Sequence, residues 1–168
     1  PNHPDKICDR ISDAILDECL KQDPDTRAAI ETMGGHGIIT VTGELTTKAF
    51  VDVPEVVKRV YGKDIGVQTN IVRQSPEIAK GVDIGGAGDQ GIMIGYACND
   101  NSDLVPQEYY LARKLAQKIY RKYPYDGKTQ VTITDDGKVR AVASFCCTPS
   151  EDLENICNEF FSNANIKV

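Results

Sequence analysis

The same order of elements, a helix, a helix breaker, a β-hairpin and a capped helix, occurs twice along this 168-residue chain. The first copy opens with apolar residues at helical spacing over residues 5–20, and the second opens in the same way over 107–120. An amphipathic helix beside a hairpin buries its apolar stripe by covering one face of the sheet. The pattern therefore predicts an α+β fold of two similar units, each an antiparallel sheet covered by helices, although α+β proteins also show such runs by chance.

The predicted element boundaries follow from caps, breakers and alternating apolar residues. In the first unit we predict a helix over 5–20, hairpin strands over 28–33 and 37–41, a short helix after Asp52, and strands over 67–72 and 92–97. In the second we predict a helix over 107–120, strands over 130–134 and 139–145, and a helix opened by Thr148. We place the first unit at residues 1–100 and the second, which we expect to be incomplete, at 101–168.

The formal charge of −6 and the pI of about 4.9 bear on possible partners. A surface of this sign repels nucleic acid phosphates and anionic lipids, so we expect neither nucleic acid nor a membrane as a partner. No apolar run approaches the roughly 18 residues of a membrane-spanning helix. If the ligand is a polyanion, local cations or a metal ion must reverse the field around it.

The six cysteines include no Cys-x-x-Cys pair, and the chain has only two histidines, which argues against a structural zinc site. We expect free, buried thiols in a reducing cytosol, and hence a soluble, cytoplasmic protein. The chain begins without Met at Pro1, and its last residues, 166–168, read like the start of another strand. We therefore expect an interior piece of a longer protein.

The densest candidate site is the run His3-Pro4-Asp5-Lys6 at the start of the first predicted helix. Free backbone N–H groups at a helix start favour an anion, and a hard carboxylate such as Asp5 could hold Mg2+ together with phosphate oxygens. The same four residues also fit a solvated helix start with ordinary charges.

A second candidate is the glycine-rich segment over residues 85–91, which includes Asp89 and Gln90. It is not a P-loop, because no Gly-Lys-Ser/Thr follows, and it is not the dinucleotide-binding fingerprint, because that G-x-G-x-x-G motif belongs to a βαβ unit. Glycines let a backbone approach a ligand closely, but a tight loop before a strand explains the segment equally well.

Three isolated charged residues complete the candidates. Glu31 lies in a predicted apolar strand, where a carboxylate is costly unless it is paired, binds a cation or faces outward; Glu44 follows the next strand. Lys128, after the turn at residues 126–127, could contact a phosphate, although lysines at strand starts are common. No serine or cysteine has convincing catalytic partners, so we do not expect covalent catalysis by this chain.

Four motifs occur in a fixed order: HPDKICDRISDA at residues 3–14, GELTT at 43–47, QSPEI at 74–78 and GAGDQG at 86–91. In this order they resemble S-adenosylmethionine synthetase, and the similarity extends from Asn2 to about Phe161. The resemblance implies three similar α+β domains, of which this chain would hold about two, with the third absent. It also implies a homodimer, often paired into a tetramer, with active sites between subunits.

The resemblance implies a reaction as well. The sulfur of L-methionine attacks C5′ of the ATP ribose and expels the triphosphate, which the same enzyme hydrolyses to phosphate and pyrophosphate with the help of Mg2+ and K+. Because methionine is the nucleophile, the absence of a catalytic serine or cysteine is consistent with it.

Matching motif positions implies a role for each candidate residue. His3 would hydrogen-bond the leaving oxygen, while Lys6 and Lys128 would lie near the phosphates. The remaining implied roles are Mg2+ binding by Asp5, K+ binding by Glu31, ribose contact by Asp126, methionine contact by Glu44 and Gln74, and contact with both substrates by Asp89.

The chain also departs from the family pattern. Pro1 and Asn2 stand where the family usually has Glu-Gly, and only residues 77–85 remain of a longer gating loop. The family's later glycine-rich motif and its cluster of Lys, Arg and Asp are missing, and with them much of the positive charge around the triphosphate. A non-catalytic nucleotide-binding or regulatory relative is therefore the alternative, and an α+β domain without a small-molecule site is a third.

Overall fold

The computed structural model describes residues 2–88 and 90–162, and it forms two compact units. The first comprises His3–Ile92 and the second begins at Met93. Each unit combines helices with a small sheet, which confirms the predicted α+β class.

The first unit contains three helices and one three-stranded sheet. Its elements are α1 (Pro4–Leu20), β1 (Arg27–Gly35), β2 (Ile38–Thr46), α2 (Val53–Tyr61), β3 (Gly66–Val72) and α3 (Pro76–Asp83). β1 and β2 form an antiparallel hairpin, whereas β3 runs parallel to β2. The parallel pairing follows from the connection, because α2 carries the chain back across the sheet before β3 begins.

The core of the first unit lies between α1, α2 and one face of the sheet. Alternate β2 residues, Ile39 and Val41, pack beneath Ile11 and Ile15 of α1 and the apolar face of α2. Because strand side chains alternate, the other residues of each strand point away from these two helices. We call that side the open face. Its residues form three rows across β1, β2 and β3. The rows are Met33–Thr40–Gln68, Glu31–Thr42–Asn70 and Ala29–Glu44–Val72.

The second unit contains α4 (Gln107–Lys122), β4 (Gly127–Ile133), β5 (Val139–Phe145) and α5 (Ser150–Ser162). β4 and β5 pair antiparallel, with Gly127 opposite Phe145 and Lys128 opposite Ser144. The buried core is formed by Leu115 and Ile119 of α4, Phe145 of β5 and Ile156 of α5. At the ends of the helices, Asp152 accepts a hydrogen bond from the Tyr123 hydroxyl and lies 3.4 Å from Lys122 Nζ, which ties α5 to α4.

Two elements differ from the sequence prediction. The strand predicted over 92–97 is wrong: the segment has no regular structure, and Ile92, Met93 and Ile94 are 91%, 98% and 89% exposed. A strand needs a partner for its backbone groups, and among the described residues no strand runs beside this segment. Of residues 77–85, interpreted as the remnant of a loop, residues 77–83 are instead helical and belong to α3.

The described part of the chain contains no helix long and apolar enough to cross a membrane. The six cysteines are free, but the expectation of buried thiols holds only in part. Cys19 is buried and burial raises the pKa of its thiol, whereas Cys146 and Cys147 are exposed.

Candidate active site

His3 caps the N-terminus of α1 with its side chain. The backbone N–H of Asp5 donates to His3 Nδ1 at 3.2 Å, and Pro4 occupies the first turn, where its missing N–H needs no partner. His3 Nδ1 lies 3.6 Å from Asp5 Oδ2, which is too long for a hydrogen bond. The Asp5 carboxylate is 85% exposed and Lys6 is also exposed. We call His3, Asp5 and Lys6 the helix-start cluster.

The helix-start cluster lies toward the β1–β2 turn. The Ser12 hydroxyl is 2.9 Å from that of Thr32, and a Cβ atom at Gly34 would lie 3.6 Å from Cys8 Sγ. The helix therefore runs antiparallel to β1, and its first turns lie over the last residues of that strand. At the other end of α1, Asp23 accepts a hydrogen bond from the Lys48 N–H at 2.7 Å, just after β2 ends.

A second group of candidates meets at the opposite end of the sheet. β2 and β3 are parallel and therefore end at the same edge, which places Glu44 beside Val72. The backbone N–H of Gln74 donates to Thr46 Oγ1 at 3.4 Å, and a Cβ atom at Gly88 would lie 3.9 Å from Gln74 Nε2. The structure thus brings the end of β2, Gln74 and the glycine-rich segment together, and we call Glu44, Gln74 and Gly88 the strand-end cluster.

Gln74 carries an unused acceptor in this cluster. Its side-chain Oε1 is buried and has no hydrogen-bond partner among the described residues. Leaving a buried acceptor unsatisfied costs about 1–3 kcal/mol, so such atoms in folded proteins commonly mark a place for a ligand or a water molecule.

Gly43 fixes the backbone immediately before Glu44. Its φ of 129° is a conformation that residues with a side chain rarely adopt, and a Cβ atom there would overlap the carbonyl oxygen of Ala29 on β1. Glu44 itself is half-buried. Sequence reasoning missed Gly43 and Thr46 as supporting residues, although both lie within the GELTT motif over 43–47.

The two clusters of the first unit are far apart. Ile39 pairs with Gly34, which lies under the first turns of α1, and five residues of extended strand separate Ile39 from Glu44. At the rise of a β-strand this is roughly 17 Å, which exceeds the length of a methionine side chain. One copy of this unit does not bring both clusters around one small substrate.

The glycine-rich segment has a structural role in its first part. Gly85 N–H donates to the Val82 carbonyl at 3.0 Å and Gly86 N–H to the Gly81 carbonyl at 2.9 Å, with Gly85 at a φ of 85°. This pair of bonds is the Schellman arrangement that ends a helix. Gly85 and Gly86 are therefore needed to terminate α3, and Asp89, the substrate-contact candidate of the segment, lies outside the described residues.

Glu31 is exposed on the open face, opposite Thr42. Because water can solvate this carboxylate, its position in the strand does not by itself require a bound cation. His36 is also exposed, in the turn between β1 and β2.

The candidates of the second unit flank Gly127. The Asp126 carbonyl accepts a hydrogen bond from the Cys146 N–H at 2.8 Å, and Asp126 Oδ1 is buried with no partner in the described parts of the chain. Lys128 is exposed, opposite Ser144 on the face of the sheet that points away from the core. The two side chains thus offer one unsatisfied acceptor and one accessible cation.

No group of three or more His, Cys, Asp or Glu side chains within residues 2–88 and 90–162 could hold a metal ion by itself. Mg2+ is commonly bound through one or two carboxylates, with phosphate oxygens and waters as the other ligands. The exposed carboxylate of Asp5 fits that mode of binding, because its oxygens remain available to an ion held jointly with a phosphate.

Known proteins resemble both parts of the chain. Residues 1–81 match the N-terminal domain of S-adenosylmethionine synthetase and residues 84–155 match its central domain. The S-adenosylmethionine synthase of Clostridium tetani is 39% identical over 206 residues, covering 99% of this chain and 53% of the relative. That of a Nocardioides species is 42% identical over 175 residues, covering 83% of this chain and 44% of the relative.

The chain thus spans about half the length of the curated relatives it matches. The alignment with the Clostridium tetani protein is longer than the chain itself, so that relative has residues inside the matched region that are missing here. Together, the two domain matches and the two relatives show that the chain belongs to the S-adenosylmethionine synthetase family.

Proposed function

We propose that this chain takes part in the synthesis of S-adenosylmethionine from ATP and L-methionine, with release of phosphate and pyrophosphate, as a portion of a methionine adenosyltransferase. The observation that carries the proposal is the unsatisfied acceptor of Gln74, whose backbone N–H bonds Thr46 two residues beyond Glu44 on β2. An amide oxygen and a carboxylate at one strand end suit the ammonium group of an amino acid, which needs hydrogen-bond acceptors and a negative charge.

The helix-start cluster would serve the ATP side of the same reaction. His3 and Lys6 lie at the N-terminus of α1, where backbone N–H groups and the helix dipole favour an anion. In the second unit, Lys128 would add a positive charge near the phosphates, and Asp126 would accept a hydrogen bond from the ribose. We assign Asp89 to substrate contact as well, on its position in the GAGDQG motif.

Asp5 would hold Mg2+, whose charge offsets that growing on the triphosphate during the reaction. Glu31 would provide one oxygen ligand for K+, the others coming from outside β1. A chain with a net charge of −6 needs local positive charge to bind a polyanion, and these ions would provide it.

In the chemical step a bond forms between the methionine sulfur and C5′ while the bond from C5′ to the triphosphate oxygen breaks. The electron pair leaves with the triphosphate. The protein therefore does not form a covalent intermediate, and its residues act by alignment and by stabilising the departing negative charge. His3 would donate a hydrogen bond to the leaving oxygen.

The separation of the two clusters supports self-association. Because roughly 17 Å of strand lies between the helix-start and strand-end clusters of one unit, the two clusters do not reach one methionine together. We propose that each site combines the helix-start cluster of one copy with the strand-end cluster of a second copy, in a homodimer or a tetramer of two such dimers. The six free cysteines suit a reducing cytoplasm.

A non-catalytic, nucleotide-binding or regulatory relative is the second candidate, because the chain covers only about half of each relative. One assay separates the two. The chain alone, and the chain extended past Val168 with the remainder of the Clostridium tetani sequence, are incubated with ATP, L-methionine, Mg2+ and K+. S-adenosylmethionine and phosphate from the extended version support the enzyme, whereas no product from either version contradicts it.

A further inference from the structure

We propose that the backbone of α1 decides which nitrogen of His3 can act on a substrate. The inference rests on the proposed function and concerns how that site is arranged. It starts from the hydrogen bond in which the Asp5 N–H donates to His3 Nδ1 at 3.2 Å.

The direction of this bond is fixed by chemistry. A backbone N–H can only donate, so His3 Nδ1 must accept and cannot itself carry the proton of the ring. A reversed bond from Nδ1 to the Asp5 carboxylate is ruled out by the 3.6 Å separation of those atoms. The ring proton therefore resides on Nε2, and Nε2 is the nitrogen left to donate.

His3 can therefore donate a hydrogen bond from only one of its two ring nitrogens. With Nδ1 engaged by the helix, His3 presents a single hydrogen-bond donor, Nε2–H, at the start of α1. The Asp5 amide is in this sense a positioning group, since it acts on the substrate only through the imidazole. It also prevents rotation of the ring, because turning it over would break the cap.

Two substitutions distinguish the role of Nδ1, which caps the helix, from that of Nε2, which donates to the substrate. Asn is a strong N-cap whose side-chain oxygen can replace Nδ1, but it has no donor at the position of Nε2. Gln reaches the position of Nε2 with its amide N–H, but its longer side chain does not cap the helix. We expect His3→Asn to keep the thermal midpoint of unfolding and to lower turnover of the extended version roughly 10- to 100-fold. His3→Gln should lower the midpoint and retain more turnover than His3→Asn.

The direct test is NMR on the 168-residue chain labelled with 15N. Only His3 and His36 contribute imidazole signals, so His36→Gln assigns both, and the exposed His36 is the internal control. We expect a scalar coupling across the hydrogen bond between the Asp5 amide nitrogen and His3 Nδ1, with the proton on Nε2. Absence of the coupling, or a proton on His3 Nδ1, overturns the proposal even if the enzyme is active. If the extended version makes no product while the coupling is present, the proposed function fails and the assignment of the ring nitrogens stands.

Discussion

The aromatic ring of Phe145 lies against the α-carbon of Gly127, in the space that any side chain at this position would need. Phe145 belongs to the buried core of the second unit, and Gly127 separates the two candidate residues Asp126 and Lys128. The packing of one ring on one glycine thus fixes the start of β4, where both candidates are anchored.

We therefore expect Gly127→Ala to destabilise the second unit by about 1–3 kcal/mol, because the added methyl group must displace the ring. Chemical denaturation measures the loss. Gly95→Ala is the matched control, since nothing lies within 4 Å of a Cβ atom there. Equal stability of the two variants would show that Phe145 can move aside without cost.

Gly43→Ala should destabilise the first unit by at least about 2 kcal/mol. Both the positive φ and the overlap with the Ala29 carbonyl oppose a side chain, and backbone atoms cannot move aside as a flexible side chain can. Gly35→Ala on the neighbouring strand, with open space around it and an ordinary φ, is the control. A Gly43→Ala variant as stable as Gly35→Ala would contradict the strain at Gly43.

Gln74→Met should leave the stability of the chain unchanged or raise it by up to about 1 kcal/mol. The substitution removes a buried acceptor that has no partner and keeps most of the volume of the side chain. Methionine binding by the extended version, measured by calorimetry, should weaken in the same variant. Gln68→Met, at an exposed position on β3, should leave binding intact; a loss of stability in Gln74→Met without a loss of binding would argue that Gln74 is structural.

Asp23 gives the first unit a stability that depends on pH. The Lys48 N–H above all, followed by the Asp25 N–H and the Thr47 hydroxyl, lowers the pKa of this carboxyl in the folded chain. A lowered folded pKa means that the stabilisation is present above the unfolded value of about 4 and is lost as the pH falls through the folded pKa. We expect Asp23→Asn to flatten the fall in thermal midpoint below about pH 4, and the exposed Asp13→Asn to leave that fall unchanged.

Much of the fold could be predicted from local signals. α2 begins at the cap formed by Asp52, whose side chain accepts from the Glu55 N–H at 3.1 Å, and ends at Gly62 with a φ of 80°. Such caps depend only on neighbouring residues, so the sequence shows them directly. The helix α3 was missed although its signal was present, because Ser75 caps it through the Ile78 N–H at 3.3 Å and Pro76 opens it.

The features that depend on pairing could not be predicted in the same way. The apolar run over 92–97 is typical of a buried strand, yet a strand also requires a neighbour, and the local pattern carries no information about one. The placement of Glu44 and Gln74 at one edge of the sheet depends on the parallel pairing of β2 and β3, which brings together residues far apart in the chain. Motif positions named these residues as candidates, but only the pairing shows that they lie at the same edge of the sheet.

The distance between the helix-start and strand-end clusters also has a consequence for inheritance. On the proposed arrangement, a copy with His3→Ala and a copy with Glu44→Ala are each inactive alone, but a mixed pair contains one site built from the intact cluster of each. Two such alleles would complement each other in one cell, whereas His3→Ala and Lys6→Ala, which affect the same cluster, would not. A copy defective in one cluster would disable one of the two sites in a pair with a normal copy and leave the other intact, so its effect would be additive rather than dominant.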